Sequence, residues 1–183
     1  MQQGLSKSYA GETAFTAIAS VERKGRIYFV LLVGRQSRRL GGPFESEREQ
    51  SDFYSNLLVE SVNSYRAKRE IAPLIWSDNL ANIAFKWSQQ LSSGELPYSH
   101  TGMPERYEKS TTALKPLTLL DYAENLAKIS MPVSHESVDA AIAYWLVTDT
   151  YARNIFAEFN FSAGAITVKG KALSITLVFA KTF

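Results

Sequence analysis

Ser99-His100, then Tyr122-Ala123-Glu124-Asn125-Leu126-Ala127, then Trp145 on an apolar helical stretch, follow one another in a single order along this chain. A histidine and a carboxylate carried by separate segments make half of a metal or acid–base site, so the residues after Trp145 decide what chemistry is available. Thr148 and Tyr151 stand there, neither of them a carboxylate or a histidine.

Periodicity on either side of that stretch predicts α-helices in front and strands behind. Ser46 with Glu49 makes a capping box for a helix to about residue 66, with Phe53, Leu57, Leu58, Val62 and Tyr65 as its stripe. Ser77 and Asp78 cap a second helix in which Leu80, Ile83, Ala84, Trp87 and Leu91 recur at helical spacing, and Gly94 supplies the left-handed stop. Residues 95–116 are polar and punctuated by Pro and Gly, and they read as a loop that presents His100. Residues 119–128 read as a short helix carrying Glu124. Ser134 caps another, with Val138, Ala141, Ile142 and Trp145 on one face, and residues 151–156 add a short helical stretch. Residues 164–168 and 173–181 are strands around a Lys169-Gly170-Lys171 turn, and residues 13–35 form a hairpin turning at Lys24-Gly25, after which residues 36–42 break the pattern. The order hairpin, helices, hairpin implies an α+β fold with an antiparallel sheet covered by helices, and no βαβ repeat is visible.

The bulk properties restrict the function classes. A hydrophobic content of 45% with 21% charged residues fits a globular domain of 183 residues. The formal net charge of +2 is too small to argue for a nucleic-acid partner, and the densest basic run, Arg35 to Arg39, reads as a solvated loop. No cysteine is present, which excludes disulfides, thiolate metal sites and a cysteine nucleophile. The longest apolar run, residues 27–33, is too short for a transmembrane segment, and no signal pattern opens the chain at Met1.

Only two histidines exist. His135 follows the cap Ser134 and reads as an exposed, uninvolved side chain, which leaves His100. A catalytic zinc ion needs three protein ligands and an open position, and His100 with Glu124 offers two. Alternatively Glu124 accepts the N–H of His100 and orients it as a general base, or the pair simply ties a loop to a helix. A serine-hydrolase reading lacks a G-x-S-x-G elbow, and Gly41-Gly42 leads to no P-loop lysine.

Taken together, residues 53–183 resemble a CAP domain, the SCP-like superfamily of cysteine-rich secretory, antigen 5 and pathogenesis-related 1 proteins, and its cysteine-free bacterial branch in particular. The resemblance runs through Leu57-Leu58, Asn63, Arg66, Pro73-Leu74-Ile75-Trp76, Leu80, Ala84, Trp87, Ser99-His100, Tyr122 to Leu126 in place of G-E-N-L, Ala141 to Trp145, and Arg153-Asn154-Ile155. It implies a CAP-type α-β-α sandwich with a central antiparallel sheet over residues 45–183, and makes residues 1–44 an N-terminal β-hairpin extension and linker. In that family two histidines and two acidic residues line a cleft that can bind a divalent metal. His100 matches the first histidine and Glu124 the first glutamate, while Thr148 and Tyr151 occupy the positions of the missing members. The second histidine of eukaryotic relatives falls near Ile175, beside Thr176 and Leu177.

The resemblance therefore implies a degenerate cleft lined by His100, Glu124, Thr148 and Tyr151, with His100 and Glu124 as candidate catalytic or metal-binding groups and no cofactor required. It implies an extracellular or cell-envelope protein that acts by binding a protein, glycan or lipid partner. The alternative is a weak hydrolase or metal-dependent enzyme using His100 as base, Glu124 as orienting partner and Tyr151 as acid or ligand. The N-terminal hairpin lies outside the match. Residues 9–34 resemble the strand region after the K-T-G motif of penicillin-binding D-alanyl carboxypeptidases, but Ser6-Lys7-Ser8 replaces that motif and no S-x-x-K segment supplies acylation chemistry.

Overall fold

A computed structural model describes residues 13–23, 26–36 and 44–183. The chain divides into two compact units, Met1–Pro43 and Phe44–Phe183. In the first, β1 (Thr13–Arg23) pairs antiparallel with β2 (Arg26–Gln36) in a two-stranded sheet, from Thr13 opposite Gln36 to Arg23 opposite Arg26. The expected turn at Lys24-Gly25 and the break over residues 37–42 lie outside the described residues.

The second unit is an α+β sandwich. Its elements run α1 (Glu47–Ala67), β3 (Ile75–Trp76), α2 (Asp78–Ser93), α3 (Met103–Ala113), β4 (Leu119–Ile129), α4 (His135–Val147), α5 (Asp149–Phe156), β5 (Phe161–Lys169) and β6 (Ala172–Thr182). The sheet order is β3-β5-β6-β4, antiparallel except for the two-residue β3, which runs parallel to β5. Alternation along β6 divides two cores: Leu173, Ile175, Leu177 and Phe179 pack with α1 and α4, whereas Val178 and Ala180 pack with α2.

Local chemistry explains most boundaries. The Ser46 hydroxyl accepts from the Glu49 amide at 3.1 Å, but the Glu49 carboxylate reaches the Glu45 amide at 2.8 Å, so the reciprocal half of the box closes one residue early. The buried stripe of α1 is Tyr54, Leu58, Val62 and Arg66, turned by one residue from the expected Phe53, Leu57 and Tyr65, and Tyr65 is exposed. Ser77 and Gly94 bound α2 as expected, with Gly94 at φ +80°. α1 approaches β5 at Gly164, where a Cβ would meet the Thr176 carbonyl at 3.2 Å and Ser55 Cβ at 3.3 Å.

Two elements differ from the sequence reading. Residues 119–128 are a strand, β4, not a helix. Tyr122 and Leu126 face the α2 core while Ala127 faces the α1–α4 core, so both sides are covered and the polar alternation that marks a half-exposed strand is lost. The 95–116 loop contains α3, started by Gly102 at φ +79° with Pro104 in the first turn. Its inward residues are Arg106 and Ser110, so no apolar stripe announces it.

Arg66 fixes the α1 end of the sandwich. It is fully buried without a carboxylate: Nε donates to the Ala72 carbonyl at 2.9 Å, Nη1 to Ile155 and Ala157 at 2.7 and 2.8 Å, and Nη2 to Phe159 at 3.0 Å. Burial lowers its pKa, from a starting value so high that the guanidinium remains charged. The Asn63 amide pairs with both Leu74 N–H (2.7 Å) and C=O (3.0 Å), seating the segment that leads into β3. Replacing Arg66 by Leu removes the donors to four carbonyls and is expected to cost about 3 kcal/mol in urea unfolding. Arg66→Lys should fall between, because an ammonium cannot span the four acceptors. Unfolding midpoints equal to wild type in both variants would refute the anchoring role.

Candidate functional site

The period of two in β4 places Tyr122, Glu124 and Leu126 on the α2 face, and Glu124 ends there with none of its side chain exposed. A carboxylate removed from water requires compensating donors, and four converge on it. Oε1 accepts from Arg106 Nε at 2.6 Å and from the Tyr122 hydroxyl at 3.0 Å. Oε2 accepts from Arg106 Nη2 at 2.8 Å and faces His100 Nδ1 at 3.1 Å. Arg106 comes from α3, and its guanidinium lies 3.6 Å from the centroid of the Trp87 ring on α2. Its remaining hydrogens grip the loop, Nη1 donating to the Thr101 carbonyl at 2.9 Å and Nη2 to that of His100 at 3.3 Å.

The electrostatics follow from this packing. Burial pushes the Glu124 carboxyl up, but hydrogen bonds from Arg106 and His100, the Arg106 charge and the Tyr122 hydrogen bond together hold it below the ordinary carboxylate value. Burial, and then the neighbouring Glu124 charge, raise the Tyr122 hydroxyl well above its ordinary value, so it stays a donor. An anionic Glu124 requires a proton on His100 Nδ1. The Tyr151 hydroxyl lies 3.5 Å from Nε2, at the outer limit of a hydrogen bond.

Outside this network the surroundings of His100 are aromatic. Tyr151 is 5.9 Å from Tyr144, ring to ring, and Tyr144 is 50% exposed. Tyr98, on the His100 loop, joins them: burial first, then the proximity of Tyr151 and Tyr144, pushes its hydroxyl upward. Burial and Tyr144 likewise raise Tyr151. The His100 side chain, 39% exposed, forms the base of this rim.

Of the residues singled out in the sequence, His100, Glu124 and Tyr151 are brought together. Thr148 is not part of the network; its hydroxyl donates to the Tyr144 carbonyl at 2.9 Å at the α4–α5 junction. Ile175 and Leu177 are core residues of β6, and the Thr176 hydroxyl donates to the Ala84 carbonyl at 3.4 Å. His135 is half-buried rather than exposed, edge-on to Tyr54 at 6.2 Å, with a sequestered Nε2 that has no partner among the described residues. Sequence reasoning missed Arg106, Tyr98 and Tyr144. A signal existed for the first, since a buried Glu124 demands a cation and Arg106 is one of three basic residues between it and His100.

The residues present do not fit a divalent ion as arranged. Both Glu124 oxygens already carry two donors each, the Tyr151 hydroxyl stands 3.5 Å from His100 Nε2, and among the described residues no group of three or more His, Cys, Asp or Glu converges on one point.

Because the folded pKa of Glu124 is depressed, its ion pair contributes stability that is fully present above the unfolded carboxylate value, about 4.3, and is lost as pH falls through the folded value. Glu124→Gln is therefore expected to cost about 3 kcal/mol at neutral pH. The gap to wild type should narrow below about pH 4 in thermal melts recorded across the acid range. A gap independent of pH would contradict the assignment.

No protein among the curated sequences matches the chain. Solved structures share its fold. An extracellular SCP-domain protein of Bacillus anthracis aligns with 98% of this chain and 67% of its own, at 14% identity and TM-score 0.59. An outer surface protein of Borrelia burgdorferi aligns with 70% of this chain and 92% of its own, at 13% identity and TM-score 0.56. A cysteine-rich secretory protein of Staphylococcus aureus aligns with 95% and 56%, at 15% identity and TM-score 0.56. The model of the cysteine-rich secretory protein family, CAP, matches residues 59–174, from the middle of α1 to the start of β6, and the chain, although it contains no cysteine, belongs to that family.

Proposed function

We propose that this protein acts at the cell exterior or envelope as a recognition protein, binding a glycan in the cleft above His100, and that the cleft performs no metal or acid–base chemistry. The observation that carries this reading is the saturation of Glu124: a carboxylate holding four donors has no lone pair left for a metal or a substrate proton. What remains accessible is the rim of Tyr98, Tyr144 and Tyr151 around His100, which offers ring faces and hydroxyls together. Sugars present apolar C–H faces edged with hydroxyls, and amphipathic rings on a rigid base suit them better than they suit an acyl chain. The extracellular and outer-surface structures of the same fold support the location.

A second reading has one observation in its favour. Glu124, His100 and Tyr151 lie in sequence as carboxylate, imidazole and hydroxyl, the order of an oriented base with a neighbouring acid. A weak hydrolase built this way would lose turnover in Glu124→Gln.

A glycan array containing bacterial wall fragments tests the first reading. Saturable binding is expected, weakened about tenfold by Tyr144→Ala. Zinc titrated calorimetrically should give no site that disappears in His100→Ala. A tight one-to-one zinc site of that kind, or the absence of any glycan ligand, would overturn the proposal.

A further inference from the structure

A concave surface of the domain lies between the ends of α1 and α4 and the side of α5. It encloses about 880 Å³ and is lined by Tyr65, Lys68 and Arg69 from the end of α1, Leu146 from α4, and Arg153 and Phe156 from α5. The α5 helix thus has two faces in use, with Tyr151 turned to His100 and its neighbours Arg153 and Phe156 turned to this groove.

Its charge sets it apart. Lys68, Arg69 and Arg153 confront a single lining carboxylate, Asp149. Residues 44–183 together hold 13 Lys and Arg against 16 Asp and Glu, so a groove with three cations and one carboxylate is a basic spot on a unit that is acidic on balance. Among the described residues none of the three cations makes an ion pair. Two are held instead over ring faces: the Arg69 guanidinium lies 3.7 Å from the Phe156 centroid and the Lys68 ammonium 4.9 Å from that of Tyr65. Arg153 turns its Nε to the Asp149 carbonyl at 3.4 Å, and among the described residues its other nitrogens have no hydrogen-bond partner.

The floor is apolar and fixed. Leu146, Ala152, Phe156 and Ala157 form it, and Arg66 holds the Ile155 and Ala157 carbonyls from beneath at 2.7 and 2.8 Å. A preformed surface of this kind binds with little ordering cost. An occupant must bring several negative charges, to use three unpaired cations, together with apolar side chains, to cover the floor. A fatty acid brings one charge, and a sulfated polysaccharide brings no apolar groups.

We infer that this groove is a docking site for an acidic, amphipathic peptide segment of a partner protein, separate from the His100 cleft. Asp or Glu side chains pair with Lys68, Arg69 and Arg153, and a Leu or Phe side chain lies on Leu146 and Phe156. Charge pairs at the rim make the affinity depend strongly on salt.

The test is selection from a random peptide display library on the immobilised protein, with an Arg69→Glu/Arg153→Glu double variant as counter-target. Both positions are exposed, and superimposable thermal melts establish that the variant folds. Enriched peptides are expected to be net acidic with at least one large apolar residue. Synthesised singly, they should bind one to one, weaken at least about tenfold on the double variant, and bind Tyr144→Ala as well as wild type. The inference is overturned if no peptide is enriched, if the enriched peptides are not acidic, or if charge reversal leaves their affinity unchanged. It is equally overturned if heparin or phosphatidylglycerol vesicles displace them with matching affinity, which would reassign the groove to polyanions in general.

Discussion

The Glu124 carboxylate organises the half of the domain that carries the cleft. A strand buried on both faces has no solvent for a charged side chain, and an unpaired carboxylate there would either take up a proton or open the structure. Arg106 prevents both by supplying two of the four donors and the countercharge. Holding Arg106 in place recruits further elements: the Trp87 ring on α2 supports its face, and the His100 and Thr101 carbonyls receive its spare hydrogens. One charge therefore ties β4, α2, α3 and the loop between the two helices. It also helps to account for α3 itself, which has almost no apolar face and whose buried residues are Arg106 and Ser110. In a domain whose net stability is of the order of 5–15 kcal/mol, the disruption of such a pair at about 3–5 kcal/mol is a large fraction.

That same constraint separates what the sequence disclosed from what it hid. Helices α1, α2 and α4 could be read because Leu58 with Val62, Leu80 with Ala84 and Trp87, and Val138 with Ile142 and Trp145 repeat at the helical period between recognisable caps. β6 could be read because β-branched and aromatic residues dominate it. β4 could not, since Leu119, Ala123, Glu124, Leu126 and Lys128 favour a helix locally, and only burial between two cores reverses that preference. Arg106 escaped for a related reason: a cation inside a polar segment looks like surface until the carboxylate it neutralises is known to be buried. The motif residues His100 and Glu124, with Tyr151, named the site's centre, while Tyr98 and Tyr144 come from two further segments with no common spacing.

Membership of a family fixes the scaffold and leaves the chemistry to particular side chains. Here the scaffold keeps a histidine and a glutamate within hydrogen-bonding distance, but their environment differs from that of a metal site. Thr148 has turned into the α4–α5 junction, where its hydroxyl serves the backbone of its own helix. The Tyr151 hydroxyl stands 3.5 Å from His100 Nε2, and Asn125, next to Glu124 on β4, donates to the Tyr151 carbonyl at 3.1 Å. The strand that carries the carboxylate thus also positions the tyrosine beside its imidazole partner.

The two buried arginines show why this domain responds to acid unevenly. Arg66 is satisfied by four carbonyls, none of which titrates, so the junction of α1, α5 and β5 keeps its hydrogen bonds at any pH the fold survives. Arg106 depends on a carboxylate that can be protonated, and with it depend α3 and the His100 loop. Carbonyl dipoles suffice at the first position because Arg66 must only join backbone segments. At the second, a full countercharge is needed because the guanidinium must also fix an imidazole on a half-exposed loop. Acid therefore acts first on the Glu124 half of the domain, loosening the elements around the cleft while the frame that carries the α1–α5 groove persists.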